Sequence, residues 1–261
     1  MFNWYREYQL SHNTVYARDD PRVATPLRRE RRNAVNASSQ QSSENSFATR
    51  SLGAIAASLP GSTALFRRYK LDFCCGGNVT LSKAAAVKGL SCAALEAELE
   101  AIAAASFVRP QPQATDDLID LIETRYHTVH RHELPELIRL ARRVEAVHKD
   151  HAAAPIGLAN LLEQILAELE SHMQKEELIL FPAMRQDAGP MIAGPVSVMI
   201  AEHDGHGAYL RELEELTSGF EIPEGACNTW RALYGGGRKF ADDLVEHIHT
   251  ENNILFPRFL I

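Results

Sequence analysis

The stretch His172-Met173-Gln174-Lys175-Glu176-Glu177-Leu178-Ile179-Leu180-Phe181-Pro182 returns 75 positions later as His247-Ile248-His249-Thr250-Glu251-Asn252-Asn253-Ile254-Leu255-Phe256-Pro257. Both copies obey His-x3-Glu-x4-Phe-Pro. A shorter echo pairs His127-Thr128-Val129-His130 with His203-Asp204-Gly205-His206, 76 positions apart. Two helical hairpins related by duplication account for both echoes. On a helix, residues four apart share one face, about 6 Å apart along the axis. His172 with Glu176, and His247 with Glu251, are therefore placed to converge on one site.

Working outward, the segment from Thr115 reads as four longer helices. The first is capped by Thr115, with Asp116 and Asp117 in its opening turn. It runs to about His151 with a kink at Pro135. The second spans about Ile156 to Phe181 and is halted by Pro182. The third starts near Pro195 and ends by Gly219. The fourth runs from about Cys227 to Phe256, weakened early by Gly235-Gly236-Gly237. Short connections make consecutive helices antiparallel neighbours, hence an up-down four-helix bundle.

At 1.5 Å per residue, His172 and Glu176 stand about 14 and about 8 Å from the end of their helix. His247 and Glu251 stand at the same offsets from Phe256. His203 lies about 12 Å past Pro195, and His127 about 18 Å past Thr115. These ends share one side of an antiparallel bundle, so the six residues occupy one layer. His148 falls at the opposite end. Burying two carboxylates among four imidazoles without a cation costs several kcal/mol per uncompensated charge. Imidazole with carboxylate suits iron, manganese or zinc better than calcium or magnesium. The layer is read as a metal centre.

The remaining histidines (His130, His132, His148, His151, His206 and His249) are expected to be core or surface residues with satisfied hydrogen bonds. Phe181, Phe256, Leu180 and Leu255 read as core caps below the site. Glu202 is either a hydrogen-bond partner of a ligand or part of a solvated face, and Cys92 and Cys227 read as buried small residues.

Residues 47–109 form a small helical module. Leu52, Ile55, Ala56 and Leu59 share a helical face that Pro60-Gly61 ends. Further helices are expected over Ser62–Lys70, from Thr80, and over Ser91–Ala105. Between them lies the turn Leu71-Asp72-Phe73-Cys74-Cys75-Gly76-Gly77-Asn78, whose thiols suit a soft metal or redox chemistry. Pro110 and Pro112 mark a linker. Residues 1–46 are polar, with Arg28, Arg29, Arg31 and Arg32 clustered, and read as a disordered extension or a contact for an acidic partner.

Composition sets the outer bounds. Of 261 residues, 45% are hydrophobic and 7% aromatic, rich in helix formers, so the chain is expected to be all-α. A formal charge of −7 argues against nucleic acid as a partner. No apolar run is long enough to span a bilayer, and no secretory leader is evident, so no membrane contact and a cytoplasmic location are expected.

The bundle pattern resembles the hemerythrin-like domain. Together with Asp72-Phe73-Cys74-Cys75-Gly76-Gly77, Leu134-Pro135-Glu136-Leu137, Ser171-His172-Met173, Lys175-Glu176-Glu177 and Glu251-Asn252-Asn253, it resembles the Repair of Iron Centres family. These are iron–sulfur cluster repair di-iron proteins of the YtfE/ScdA type. The resemblance covers about residues 47–259, with the bundle over 115–259.

The resemblance implies two non-haem iron ions, bridged by Glu176 and Glu251 and by an oxo or hydroxo group. It puts His127 and His172 on one iron and His203 and His247 on the other. Oxygen-carrying hemerythrins have a fifth histidine, which is missing here, so positions stay open for a diatomic ligand and the iron is easier to release. It further implies a cytoplasmic homodimer acting under nitrosative and oxidative stress, with damaged iron–sulfur proteins as partners and nitric oxide or O2 as ligands. Three functions fit: supply of labile iron to damaged clusters, reduction of nitric oxide to N2O at the two irons, or sensing of a diatomic gas or redox state.

Overall fold

A computed structural model of the chain describes residues 46–105, 114–187 and 189–260. The expectations for residues 1–45, with their arginine cluster, and for the Pro110/Pro112 linker lie outside the described residues. Among the described residues the structure is all-helical, and the only extended pairing is an isolated antiparallel bridge between Ser51 and Thr80.

The first module follows its punctuation closely. Helix α1 (Leu52–Ser58) starts at Ser51, whose hydroxyl accepts from the Ala54 N–H, and ends before Pro60-Gly61. Helix α2 (Ser62–Arg68) follows, then α3 (Leu81–Val87) capped by Thr80, then α4 (Cys92–Ala105). Leu52, Ile55, Phe66, Phe73, Leu81, Leu95 and Leu99 form their shared core, each almost fully buried.

The bundle begins with α5 (Thr115–Leu121) and a π-helical turn (Ile122–His127), and continues in α6 (Thr128–Val147) with Pro135 inside it. The cap is Ala114 rather than Thr115, whose hydroxyl instead accepts from Arg258. Next come α7 (Leu158–Lys175), a second π turn (Glu176–Leu180) and α8 (Phe181–Arg185). Helix α9 (Ala193–Leu216) is the third rod. The fourth is α10 (Asn228–Thr250), a third π turn (Glu251–Leu255) and a final 3-10 turn (Phe256–Phe259).

One expectation is corrected here. Pro182 does not halt the second rod. It lies in the first turn of α8, directly after the π turn, and the rod continues to Arg185. The triple glycine, expected to weaken α10, does not interrupt it. A Cβ at Gly236 would stand 2.8 Å from Leu137 Cδ2, and one at Gly237 2.8 Å from the Phe220 ring. Bare backbone there lets α10 pack tightly against α6 and the Phe220 loop.

The π turns position the site. In each, the backbone N–H reaches back five residues, from Thr128 to Glu123, Phe181 to Glu176, and Phe256 to Glu251. A π turn spends an extra residue per turn. It thereby swings Phe181 and Phe256 back toward the face that carries the His–Glu pairs. Phe181 stacks on the His127 ring (5.8 Å between centroids) and Phe256 on His203 (5.9 Å). Both belong to an apolar cluster with Leu180, Leu255, Leu118, Ile122 and Val196 that closes this end of the bundle.

Candidate metal centre

The four rods bring His127, His172, Glu176, His203, His247 and Glu251 into one layer, each no more than 1% exposed. Their donor atoms fall into two groups that share both glutamates: His127, Glu176, His247 and Glu251, and His172, Glu176, His203 and Glu251. His127 Nε2 and His247 Nε2 are 3.1 Å apart, and His172 Nε2 and His203 Nε2 3.0 Å apart.

Each carboxylate turns one oxygen to each histidine pair. Glu176 Oε2 faces His127 Nε2 at 3.4 Å while Oε1 faces His172 Nε2 at 3.3 Å. Glu251 Oε1 lies 3.1 Å from His247 Nε2, and Oε2 lies 3.1 Å from His203 Nε2. The pairing implied by the resemblance is therefore corrected. His127 shares its pocket with His247, and His172 shares one with His203.

The donor chemistry fits two cations. Three carboxylate oxygens, both of Glu176 and Oε2 of Glu251, are buried without a hydrogen bond. Among the described residues no lysine or arginine pairs with either glutamate, and the counter-charge must come from imidazole. Burial, and then Glu251, push the Glu176 carboxyl up, but His172 and His127 outweigh them and hold it low. Burial likewise opposes charge on His172, yet Glu176 raises that ring to about 9. Cations in the two pockets would supply the same charge without protonating the rings, and would give the bare oxygens partners.

The far nitrogens of the rings show how the layer is held. His127 Nδ1 lies 2.8 Å from Glu177, which Arg131 grips through both terminal nitrogens. His172 Nδ1 lies 2.9 Å from Glu202, itself bound by Lys175. His203 Nδ1 lies 2.8 Å from Asn252 Oδ1. His247 Nδ1 has no partner, and Tyr126 stacks flat on the ring at 5.2 Å. A proton held on Nδ1 by an acceptor leaves Nε2 bare for a metal.

Glu202 therefore bonds the His172 ring, with its side chain still 29% exposed. Glu177 and Asn252 were not anticipated. A signal for them was present: each directly follows one of the two repeated glutamates, and each holds one of the two echoed histidines. His130 also departs from expectation. It is fully buried with no partner on either nitrogen, and burial pushes its ring down to about 2. His206 shares that burial, with Nε2 unpartnered, while His249 is satisfied by Asn253. Cys92 and Cys227 are only half-buried.

The cysteine turn docks beside this layer. Asn252 Nδ2 donates to the Cys74 carbonyl (3.2 Å) and Asn253 Nδ2 to the Phe73 carbonyl (3.1 Å). The Cys75 thiol reaches the backbone oxygen of His203 at 3.4 Å. A Cβ at Gly77 would stand 2.6 Å from the Phe73 carbonyl oxygen within the turn and 2.8 Å from Asn253 Oδ1 on the bundle, so glycine lets the turn sit this close.

No described helix is long and apolar enough to cross a membrane. The hemerythrin HHE cation binding domain matches residues 118–259, and a domain of unknown function, DUF542, matches residues 48–103. The chain is 52% identical over 218 residues to the iron–sulfur cluster repair protein YtfE of Pectobacterium atrosepticum, covering 82% of this chain and 98% of that protein. It is 50% identical over 222 residues to the protein of the same name from Yersinia pseudotuberculosis, with the same 82% and 98% coverage. With half of the aligned residues identical along nearly the full length of these relatives, and a buried His–Glu layer inside the cation-binding match, the chain belongs to the hemerythrin-like family of YtfE iron–sulfur cluster repair proteins.

Proposed function

We propose that the protein holds two iron ions in the two pockets and repairs damaged iron–sulfur clusters by giving up that iron. The observation that carries the reading is the sharing of both Glu176 and Glu251 between two histidine pairs. That arrangement suits two adjacent ions of one kind and supplies only two imidazoles to each. Bound iron would provide redox-active, thiophilic Fe²⁺ of the kind from which iron–sulfur clusters are assembled.

The protein's own residues set how firmly that iron sits. Glu177, Glu202 and Asn252 orient His127, His172 and His203, and the Phe181 and Phe256 rings keep water from the closed end. His247 lacks such an anchor. An outer partner is worth about 10–100-fold in metal affinity, so its absence loosens the His127/His247 pocket. The names of the relatives support iron–sulfur proteins as clients.

The test mixes iron-loaded protein with an iron–sulfur enzyme whose cluster has been damaged by nitric oxide. Reactivation in the presence of an external iron chelator, and stoichiometric loss of iron from the protein, are expected. Failure to reactivate, where free Fe²⁺ in matched amount succeeds without the chelator, overturns the reading. Multiple-turnover N2O formation with an electron donor and no iron loss would replace it with nitric oxide reduction.

A further inference from the structure

The turn between α2 and α3 collects three donors that the repair reading does not use. Asp72 is exposed, Cys75 half-buried and Cys74 buried, and one oxygen or sulfur from each lies within 4.8 Å of the others. The cluster shares no residue with the His–Glu layer.

Its dimensions can be compared with those of a tetrahedral ion. Metal–sulfur bonds of about 2.3 Å at the tetrahedral angle separate two thiolates by about 3.8 Å. The two Sγ atoms stand 3.7 Å apart. With a metal–oxygen bond of about 2.1 Å, sulfur and oxygen on one ion are separated by about 3.6 Å. Cys74 Sγ and Asp72 Oδ1 stand 3.5 Å apart. Two edges of a coordination tetrahedron are thus already in place.

The backbone keeps them there. The Cys75 N–H donates to Asp72 Oδ1 at 3.0 Å, and the amides of Asn252 and Asn253 hold the turn from the bundle side. Glycines leave the room: a Cβ at Gly76 would stand 3.2 Å from Asp72 Oδ2, and one at Gly207 3.4 Å from Cys75 Sγ. Adjacent cysteines share one short loop, so they cost little further ordering to bring onto one ion.

We infer that Asp72, Cys74 and Cys75 form a second metal site, a three-ligand tetrahedral site for one thiophilic divalent cation such as Zn²⁺ or Fe²⁺. The fourth position faces solvent on the Asp72 side and takes water or an incoming ligand. Thiolate with carboxylate excludes Mg²⁺ and Ca²⁺, which want oxygen alone.

The probe is Co²⁺, added anaerobically to reduced, iron-loaded full-length protein. One equivalent is expected to give a thiolate-to-cobalt charge-transfer band with the intense visible bands of four-coordinate cobalt, and one equivalent of Zn²⁺ should bleach both. Cys75→Ser, at a half-exposed position that tolerates the change, should remove at least half the charge-transfer intensity. Asp72→Asn should keep the band but weaken Co²⁺ binding ten-fold or more. Cys92→Ser and Cys227→Ser should leave it untouched. The inference fails if no thiolate band forms, if Cys75→Ser leaves the band intact, if either control removes it, or if Asp72→Asn binds Co²⁺ as tightly as the parent.

Discussion

His203 Nδ1 and Asn252 Oδ1 are 2.8 Å apart, and the same Asn252 amide donates its Nδ2–H to the Cys74 carbonyl. The second bond fixes which end of the amide is oxygen. The ring must therefore donate from Nδ1, and Nε2 is left bare toward the metal pocket. One side chain thus orients the His203 ring and ties the cysteine turn to the bundle.

Asn252→Ala removes both bonds, and iron affinity should fall about 10–100-fold, read by competition with a chromophoric chelator. Asn252→Asp keeps an acceptor for His203 but loses the donor to Cys74. It should hold iron nearly as well as the parent while making the Cys75 thiol react faster with an alkylating agent. Equal iron loss in both variants would mean that the turn, and not the ring, depends on Asn252.

The duplicated hairpins differ at one telling place. Glu202, directly before His203, anchors His172; the corresponding residue before His127 is Tyr126, which stacks on His247 and offers its Nδ1 no acceptor. Iron release into a chelator should accordingly be biphasic, with the His127/His247 ion leaving first. Glu202→Gln, which cannot carry the charge that holds the His172 proton, should speed the slow phase by about ten-fold or more and leave the fast phase alone. A single phase in the parent protein would refute the asymmetry.

Shared glutamates predict shared loss. Because Glu176 and Glu251 each face both histidine pairs, Glu176→Ala or Glu251→Ala should empty both pockets, lowering iron from two per chain toward zero. His148→Ala, at the far pole, should leave the iron content unchanged. Metal analysis after desalting distinguishes these outcomes, and retention of one ion in Glu251→Ala would show that the pockets are independent.

The reach of the sequence can be judged from these residues. Spacing alone brought the six side chains to one depth, because a helix converts residue number into height with little freedom. The small module was legible through Pro60-Gly61 and Thr80, where local backbone chemistry decides the outcome. Periodicity did not disclose the three π turns, since a shifted backbone hydrogen bond leaves no local mark and is stabilised by the packing of Phe181 and Phe256. The pocket partition was equally hidden. α6 lies against both α7 and α10, and height says nothing about which neighbour's ring shares a pocket with His127.

Cys227 offers a pH test away from the metal layer. It caps α10, and the His148 ring at 3.2 Å, followed by the N–H groups of Trp230 and Thr229, brings its thiol down to about 7. The thiolate is the reactive form. A lowered pKa therefore means that reactivity appears earlier as pH rises, with half-maximal alkylation near pH 7. Cys92, raised by burial and then by Glu96, should lag behind it throughout. His148→Ala should move the Cys227 midpoint upward, as residue-resolved mass spectrometry would record; an unchanged midpoint would leave the helix start as the whole cause.

Gly77 tests the docking of the cysteine turn. Its Cα lies where an added Cβ would come within 2.6 Å of the Phe73 carbonyl oxygen and 2.8 Å of Asn253 Oδ1. The asparagine can swing aside, but the Phe73 carbonyl is backbone and already accepts from Asn253 Nδ2. Gly77→Ala should therefore cost about 1–3 kcal/mol, seen as a lower midpoint in denaturant. Gly89→Ala is an instructive partner. Nothing lies within 4 Å of its Cβ position, yet its φ of 66° puts alanine in the left-handed region. There the cost should be about 1 kcal/mol and arise from backbone strain alone, with Cys75 alkylation unchanged. If Gly77→Ala also leaves Cys75 alkylation unchanged, the turn tolerates displacement from the bundle, and the close approach at Gly77 is not what holds the thiol beside His203.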